Sequence, residues 1–258
     1  MSLHKAIIGG TGVYESGTPE RVERVSTPYG TVELDVVRHH GEEIAFLARH
    51  GKGHSVPPHR INYRANLKAL QQLGVTHILA TAAVGSLNPE FRPGDLVLVS
   101  DFLDGTRGRP STFFDGEHGE VRHVNLEEPY CPRLNSRFAE TAEALGIPVH
   151  GRGVYVCTEG PRFETPAEIR MFRQWGASLV GMTNVPEVVL AKELGLCYAA
   201  VGLVVNMASG MESTPITLEE IRQALEGCRD RATRICLELF RAPQDQQHCA
   251  CAHAVMGL

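Results

Sequence analysis

Residues 76–85 read THILATAAVG and residues 197–206 read CYAAVGLVVN. Neither run alternates apolar with polar side chains, as a strand with one wet face must. Each is apolar at nearly every position, the pattern of a strand covered on both faces. Strands of that kind belong to sheets with helices packed on either side, so these two runs set an α/β reading for the whole chain.

Working outward, the same punctuation repeats. KAIIGG (5–10), EIAFLARH (43–50), GDLVLVSDFL (94–103), GVYVCTEG (153–160) and SLVGMTN (178–184) read as further strands. INYRANLKALQQLG (61–74), RLNSRFAETAEALG (133–146), TPAEIRMFRQWG (165–176), PEVVLAKELG (186–195) and a last stretch from Thr217 to about Phe240 read as helices. Gly74, Gly146 and Gly176 stand where helix C-caps belong. No repeat, low-complexity tract or linker divides the chain, so a single domain over 1–241 is expected, with 242–258 as a flexible tail.

The 258 residues, 43% hydrophobic and 21% charged, are enough to bury a sizeable core. A net charge of −5 gives no general attraction to phosphate backbones or anionic lipid, which disfavours nucleic acid and membrane partners and favours small substrates. No run reaches the ~20 apolar residues of a membrane span, and MSLHKAIIGG lacks the apolar core of a secretion signal. Seven irregularly spaced cysteines then read as reduced thiols of a cytoplasmic protein.

In sheets of this class ligands sit beyond the carboxyl ends of strands. That rule collects Gly9–Gly12, Arg49 and His50, Ala82–Ser86, Glu159–Glu164, Met182 and Thr183, and Asn206–Gly210 as candidates for one pocket. IIGGTGVYES offers unobstructed N–H groups and the Thr11 hydroxyl, which suit a phosphate. It departs from the dinucleotide fingerprint, because Tyr14 and Glu15 follow Gly12 and no ribose-reading acid stands about 20 residues on. Arg49 and His50, with His54 nearby, form a plausible anion clamp or else a solvated basic loop. Thr165 reads as an N-cap with Glu168 three residues on, leaving the Glu164 carboxylate for another task.

Taken together, IIGGTGVY (7–14), FLARHGKGHSVPPHRINYRANL (46–67), ATAAVGSLNPEFRPGDLVLVSDFLD (80–104), RPSTFFDG (109–116), CTEGPRFETPAEIRMFRQWGA (157–177), VGMTNVPEVVLAKELGLCYA (180–199) and TLEEI (217–221) resemble the trimeric nucleoside phosphorylase family. That family joins methylthioadenosine phosphorylases to trimeric purine nucleoside phosphorylases, and the resemblance spans residues 5 to about 240. It implies a central mixed, barrel-like sheet flanked by helices, a homotrimer, and phosphorolysis of a purine nucleoside to free base and a ribose-1-phosphate. Phosphate is then a co-substrate, and no metal or organic cofactor is implied.

Carried over by position, the resemblance assigns phosphate to Thr11, Arg49, His50, the Ala83 N–H and Thr183. It assigns the nucleoside to Ala83, Val84, Gly85, Phe163, Glu164, Met182, Asn206 and Leu218, with Asn206, Glu164 and His50 nearest the chemistry. Ala82 stands where many methylthioadenosine enzymes carry Thr. His123 matches a position that reaches into the neighbouring subunit's site, or else is a surface histidine.

Asn206 replaces the Asp of the adenine-type branch. An amide donates to a 6-oxo group and accepts a proton resident on N7, a pattern that fits hypoxanthine or guanine. Glu164, where the adenine-type branch commonly has Ser, accepts the N1–H that only 6-oxopurines carry. Leu218, in place of a His that addresses the 5′-hydroxyl, favours an apolar 5′ substituent, with Ile216 and Ile221 adding to that surface. The expected substrate is therefore 5′-methylthioinosine, with inosine and guanosine as further candidates. The competing readings are an adenine-type methylthioadenosine phosphorylase, an NAD-dependent oxidoreductase and a non-catalytic nucleoside-binding protein. In the tail, His248, Cys249, Cys251 and His253 offer soft-metal ligands, but Cys-x-Cys is not the spacing of a standard zinc site.

Overall fold

The computed structural model describes residues 3–9, 19–53, 55–116, 121–212, 217–246 and 249–257. In chain order its elements are β1 (Lys5–Gly9), β2 (Arg21–Thr27), β3 (Gly30–His39), β4 (Glu42–Ala48), α1 (Tyr63–Gln72), β5 (His77–Ser86), β6 (Leu96–Gly105), β7 (Arg122–Val124) and α2 (Pro132–Ala144). There follow β8 (His150–Thr158), α3 (Pro166–Gln174), β9 (Leu179–Gly181), α4 (Asn184–Glu193), β10 (Cys197–Met207), α5 (Leu218–Arg241) and β11 (Val255–Gly257).

Nine strands form one mixed sheet in the order β10-β6-β8-β9-β5-β1-β4-β3-β2, and β10 pairs in addition with β5. That extra pairing closes β10, β6, β8, β9 and β5 into a barrel and leaves β1, β4, β3 and β2 as a wing. The expected barrel-like sheet is therefore present, flanked by helices. The all-apolar runs divide by parity. Tyr198, Ala200 and Val204 of β10 face a core shared with Leu67 and Leu70 of α1 and Val188 and Leu190 of α4. Ala199, Val201 and Leu203 face one shared with Phe138 of α2 and Ile235 and Phe240 of α5. With both faces buried, no position of β10 from 197 to 205 is left for a polar residue.

The helix ends follow the local chemistry. Thr165 accepts from the Glu168 N–H while Glu168 accepts from the Thr165 N–H, the reciprocal cap read from the sequence. Thr217 and Glu220 repeat it at α5. Gly74, Gly146 and Gly176 have φ of 89°, 66° and 95°, left-handed values that end α1, α2 and α3.

Two features depart from expectation. Residues 21–39 form the hairpin β2–β3, built on the alternation of Val32, Leu34 and Val36, each buried between exposed or half-buried neighbours. The C-terminal segment is also not a loose tail over its described residues. Val255–Gly257 pair antiparallel with Val124–Arg122, and Cys249 and Cys251 are 5% and 1% exposed. Burial of those thiols and the β7 ladder anchor 249–257, which lie within the stretch expected as a flexible tail.

Candidate active site

The site follows from how β5 is shared. Along one edge its first half pairs with β1 (Lys5–Ile8 against His77–Ala80), and its end pairs with β9 (Gly85 with Val180, Ser86 with Leu179). The other edge runs beside β10. Between its two partners β5 opens a gap at Thr81–Val84. On the β10 side the register slips between Val204 and Asn206, a bulge that re-aims the strand end carrying Asn206.

A cavity lies over this gap. From the β4 end it is lined by Arg49 and His50, from β5 by Ala82, Ala83, Val84 and Gly85, and from β9 and its exit by Val180–Thr183. Phe163 and Glu164, before α3, and Val205, Asn206, Ala208 and Ser209, at the β10 end, complete most of the wall, with Pro58 and Ile221. Thus Arg49, His50, Ala83, Val84, Gly85, Phe163, Glu164, Met182, Thr183 and Asn206 are brought together as expected. Thr11, together with His54 and Ile216, falls outside the described residues. Leu218 does not join them: its side chain is 78% exposed, and Ile221, one turn along α5, lines the cavity instead. His123 lies on β7, exposed, and does not line the cavity of its own chain.

At one end of the cavity two side chains are held in fixed roles. Glu164 is 8% exposed and accepts from the Thr158 hydroxyl at Oε1, 2.6 Å away, leaving Oε2 as a second acceptor. The Asn206 Nδ2 donates to the Met207 carbonyl at 2.8 Å. A carbonyl only accepts, so this contact fixes which end of the amide is nitrogen and sets a donor and an acceptor side by side. Gly85 lets them sit close: a Cβ there would lie 3.1 Å from Val180 Cγ1 and 3.3 Å from Asn206 Nδ2, tight enough to shift one of them by a few tenths of an ångström.

Arg49 and His50 line the same cavity from the end of β4. Arg49 is buried, with Nε and Nη2 on the two oxygens of Glu187 at 2.6 and 2.7 Å and Nη1 on the Thr81 carbonyl at 2.7 Å. Burial alone would disfavour its charge, but Glu187 outweighs that and holds the guanidinium pKa above its ordinary value. Because the Thr81 carbonyl points to this edge of β5, strand alternation turns the Ala83 N–H the same way. The His50 Nδ1 lies 2.8 Å from the Val56 carbonyl, which only accepts, so that nitrogen carries a proton and the ring is held in one orientation. Thr183 is the N-cap residue of α4, and its side chain makes no capping hydrogen bond.

Sequence reasoning assigned no role to Arg109, in RPSTFFDG. Its guanidinium donates to the carbonyls of Thr158, Glu159, Met182 and Val185 at 3.2, 2.8, 3.0 and 2.7 Å, and pairs with Glu159 Oε2 at 3.2 Å. One buried cation thereby ties the chain leading to Glu164 to the chain carrying Met182 and Thr183. A lone Arg before Pro carries no signal of that role, because its partners are main-chain atoms.

Comparison with known proteins agrees with this fold. Residues 4–241 match the family described as the Phosphorylase superfamily. A probable 6-oxopurine nucleoside phosphorylase of Moorella thermoacetica is 54% identical, over 96% of each chain. A probable S-methyl-5′-thioinosine phosphorylase of Methanopyrus kandleri is 48% identical, over 97% of each. Among solved structures, a mutant adenosine/methylthioadenosine phosphorylase from Schistosoma mansoni in complex with methylthioadenosine superposes with a TM-score of 0.89 at 33% identity, covering 95% of this chain and 94% of that one.

Proposed function

The chain belongs to the phosphorylase superfamily, and from that premise we propose that it cleaves 6-oxopurine nucleosides with inorganic phosphate, releasing the base and a ribose-1-phosphate or its 5-methylthio counterpart. The observation that carries this reading is the pairing of Glu164 and Asn206 in one cavity, each with one polar atom already committed inside the protein. Glu164 retains an acceptor for N1–H, and Asn206 retains a donor for O6 and an acceptor for N7–H. Adenine would set its unprotonated N1 against the carboxylate, at a cost of ~1–3 kcal/mol or more.

In this reading phosphate lies between Arg49, His50, the Ala83 N–H and Thr183, with Thr11 expected to join them, and attacks the anomeric carbon. The bond to N9 breaks as the new C–O bond forms, its electron pair passes into the purine, and the proton taken up at N7 balances the one that hydrogen phosphate gives up. The protein's part is positioning and donor placement, each preorganised donor being worth ~10²–10³ in rate. No organic cofactor or catalytic metal enters this scheme.

The discriminating experiment compares kcat/KM for methylthioinosine, inosine, guanosine and methylthioadenosine with phosphate in excess. The 6-oxopurines should lead. A lead for methylthioadenosine would establish the adenine-type reading, which the likeness to the Schistosoma mansoni enzyme supports. Turnover itself separates both from a protein that only binds nucleosides.

Assembly belongs to the same proposal. As a homotrimer the chain would bring His123 to a neighbour's cavity, which accounts for its exposure on β7. Light scattering gives the subunit number, and mixing an inactive Arg49 variant with an inactive His123 variant should regenerate activity if sites are shared. Among the described residues no helix is long and apolar enough to cross a membrane.

A further inference from the structure

Away from the cavity, Cys131, Cys197, Cys249 and Cys251 converge although they are remote in sequence. Their four sulfurs all lie within 4.8 Å of one another, and all four residues are buried. Cys131 is the N-cap residue of α2, Cys197 opens β10, and the other two belong to the C-terminal turn at 250–253. The Cys249 sulfur is 3.7 Å from that of Cys131 and 3.5 Å from that of Cys197. A tetrahedral ion with metal–sulfur bonds of about 2.3 Å sets its ligand sulfurs about 3.8 Å apart. The two distances from Cys249, 3.7 and 3.5 Å, are close to that edge, and all the sulfurs lie within 4.8 Å of one another.

We propose that these four cysteines form a structural binding site for a thiophilic divalent cation, zinc being the best fit. Two geometrical facts favour an ion over disulfides. Cys249 approaches two other sulfurs almost equally, which a shared central atom satisfies and a single S–S bond does not. The contacts are also some 1.5 Å longer than a disulfide's ~2.05 Å.

The surroundings suit an anionic cluster. Lys192, 4% exposed, places Nζ 3.6 Å from the Cys251 sulfur and 2.6 Å from the Glu128 carbonyl, so a fixed ammonium faces the thiolates. Zinc binding would displace the protons of the thiols, leaving an overall dianion that Lys192 half neutralises. A small crevice lined by His77, Arg133, Arg137, Gln244 and Asp245 borders Cys131, Cys197 and Cys249. His253, a candidate on sequence grounds, is exposed and outside the cluster, and His248 is outside the described residues. The ligands that complete Cys-x-Cys instead come from the core, which is why spacing alone did not reveal them. Such a site would clamp the segment that pairs through β11 with β7.

The test uses the full-length protein, reduced, stripped with chelator and reconstituted with zinc or cobalt under anaerobic conditions. One zinc per chain by elemental analysis is expected, with a cobalt form showing thiolate charge-transfer and tetrahedral d–d bands. Cys249→Ser/Cys251→Ser should lose the bound metal at least tenfold while the nucleoside cavity keeps its activity. Cys236→Ser, which alters a buried thiol outside the cluster, should retain both metal and spectrum. Less than a tenth of an equivalent of zinc in the reconstituted wild-type protein would overturn the proposal. So would cobalt spectra unchanged by the double substitution, or persistence of the four sulfurs as two disulfides after reduction.

Discussion

Both oxygens of the Glu187 carboxylate face Arg49, Oε2 at 2.6 Å from Nε and Oε1 at 2.7 Å from Nη2, with neither side chain exposed. The Tyr198 hydroxyl adds a donor to Oε1 at 2.7 Å. An arginine so held cannot swing, which suits a group that must meet phosphate in one orientation. Glu187→Gln leaves a buried cation without its counter-charge, so a loss of about 3–5 kcal/mol is expected in denaturant unfolding. Among molecules that remain folded, KM for phosphate should rise tenfold or more, with KM for the nucleoside much less affected. Equal effects on both substrates in initial-rate kinetics would contradict a role for Arg49 on the anion.

Asn206→Asp exchanges the amide donor for an acceptor at a point fixed by the Met207 carbonyl. Loss of that donor should lower kcat/KM for inosine-type substrates by ~10²–10³. The ratio of methylthioadenosine to methylthioinosine turnover should rise, since a protonated carboxyl can serve N7 and a carboxylate can accept from a 6-amino group. Glu164→Gln should act through the same edge, weakening 6-oxopurines by about 1–3 kcal/mol. Competition assays with both nucleosides in one reaction measure these ratios directly.

Arg109 gathers four main-chain carbonyls and the Glu159 carboxylate without lining the cavity. Arg109→Lys keeps the charge but loses the planar fork, so some of those carbonyls lose their donor. The expected result is a ~10–100-fold fall in kcat/KM, since small misplacement of reacting groups carries losses of that order. The fall should be similar for phosphate and nucleoside, because the Glu164 chain and the Met182–Thr183 chain are displaced together. A change confined to one KM would argue against a positioning role.

The cap of α3 lies one residue from Glu164. Thr165→Ala removes the side-chain half of the reciprocal pair and should destabilise the protein by ~1 kcal/mol. Hydrogen bonding from Arg162, and from the Thr165 N–H, holds the Glu168 carboxyl at about 2, below the ordinary 4.5. Because the folded carboxyl titrates lower, the unfolded chain binds more protons between those values. The stabilisation is present above about pH 4.5 and fades as pH falls toward 2. Glu168→Gln should flatten that part of the acid-unfolding curve, as circular dichroism at stepped pH would record.

Much of this was legible because the strand-end rule depends on few signals. THILATAAVG and CYAAVGLVVN announce strands buried on both faces, and their last residues are Gly85 and Asn206. What escaped has physical reasons. The carbonyl partners of Arg109 are identical in every residue type, so no sequence pattern marks them. The burial of Cys249 depends on Cys131 and Cys197, 118 and 52 residues away. By contrast, the alternation of Val32, Leu34 and Val36 does encode β3 locally. Leu218 was misplaced along the helix axis: it and Ile221 share a face of α5 one turn apart, and only the packed structure shows that the cavity meets the second of them.

That one-turn offset gives the last prediction. Ile221 lines the cavity, whereas Leu218 stands 78% exposed at the first turn of α5. If the cavity's apolar side receives the 5′ substituent, Ile221→Ala removes surface that a methylthio group buries and a hydroxyl does not need. About 1–2 kcal/mol of discrimination should vanish, reducing the preference for methylthioinosine over inosine by roughly 5–30-fold. Leu218→Ala, an exposed change, should leave the ratio within about twofold and stability within ±0.5 kcal/mol. Paired kcat/KM values for the two nucleosides with each variant decide the matter. The opposite ranking, with Leu218→Ala the damaging change, would mean that the first turn of α5 folds inward when substrate binds.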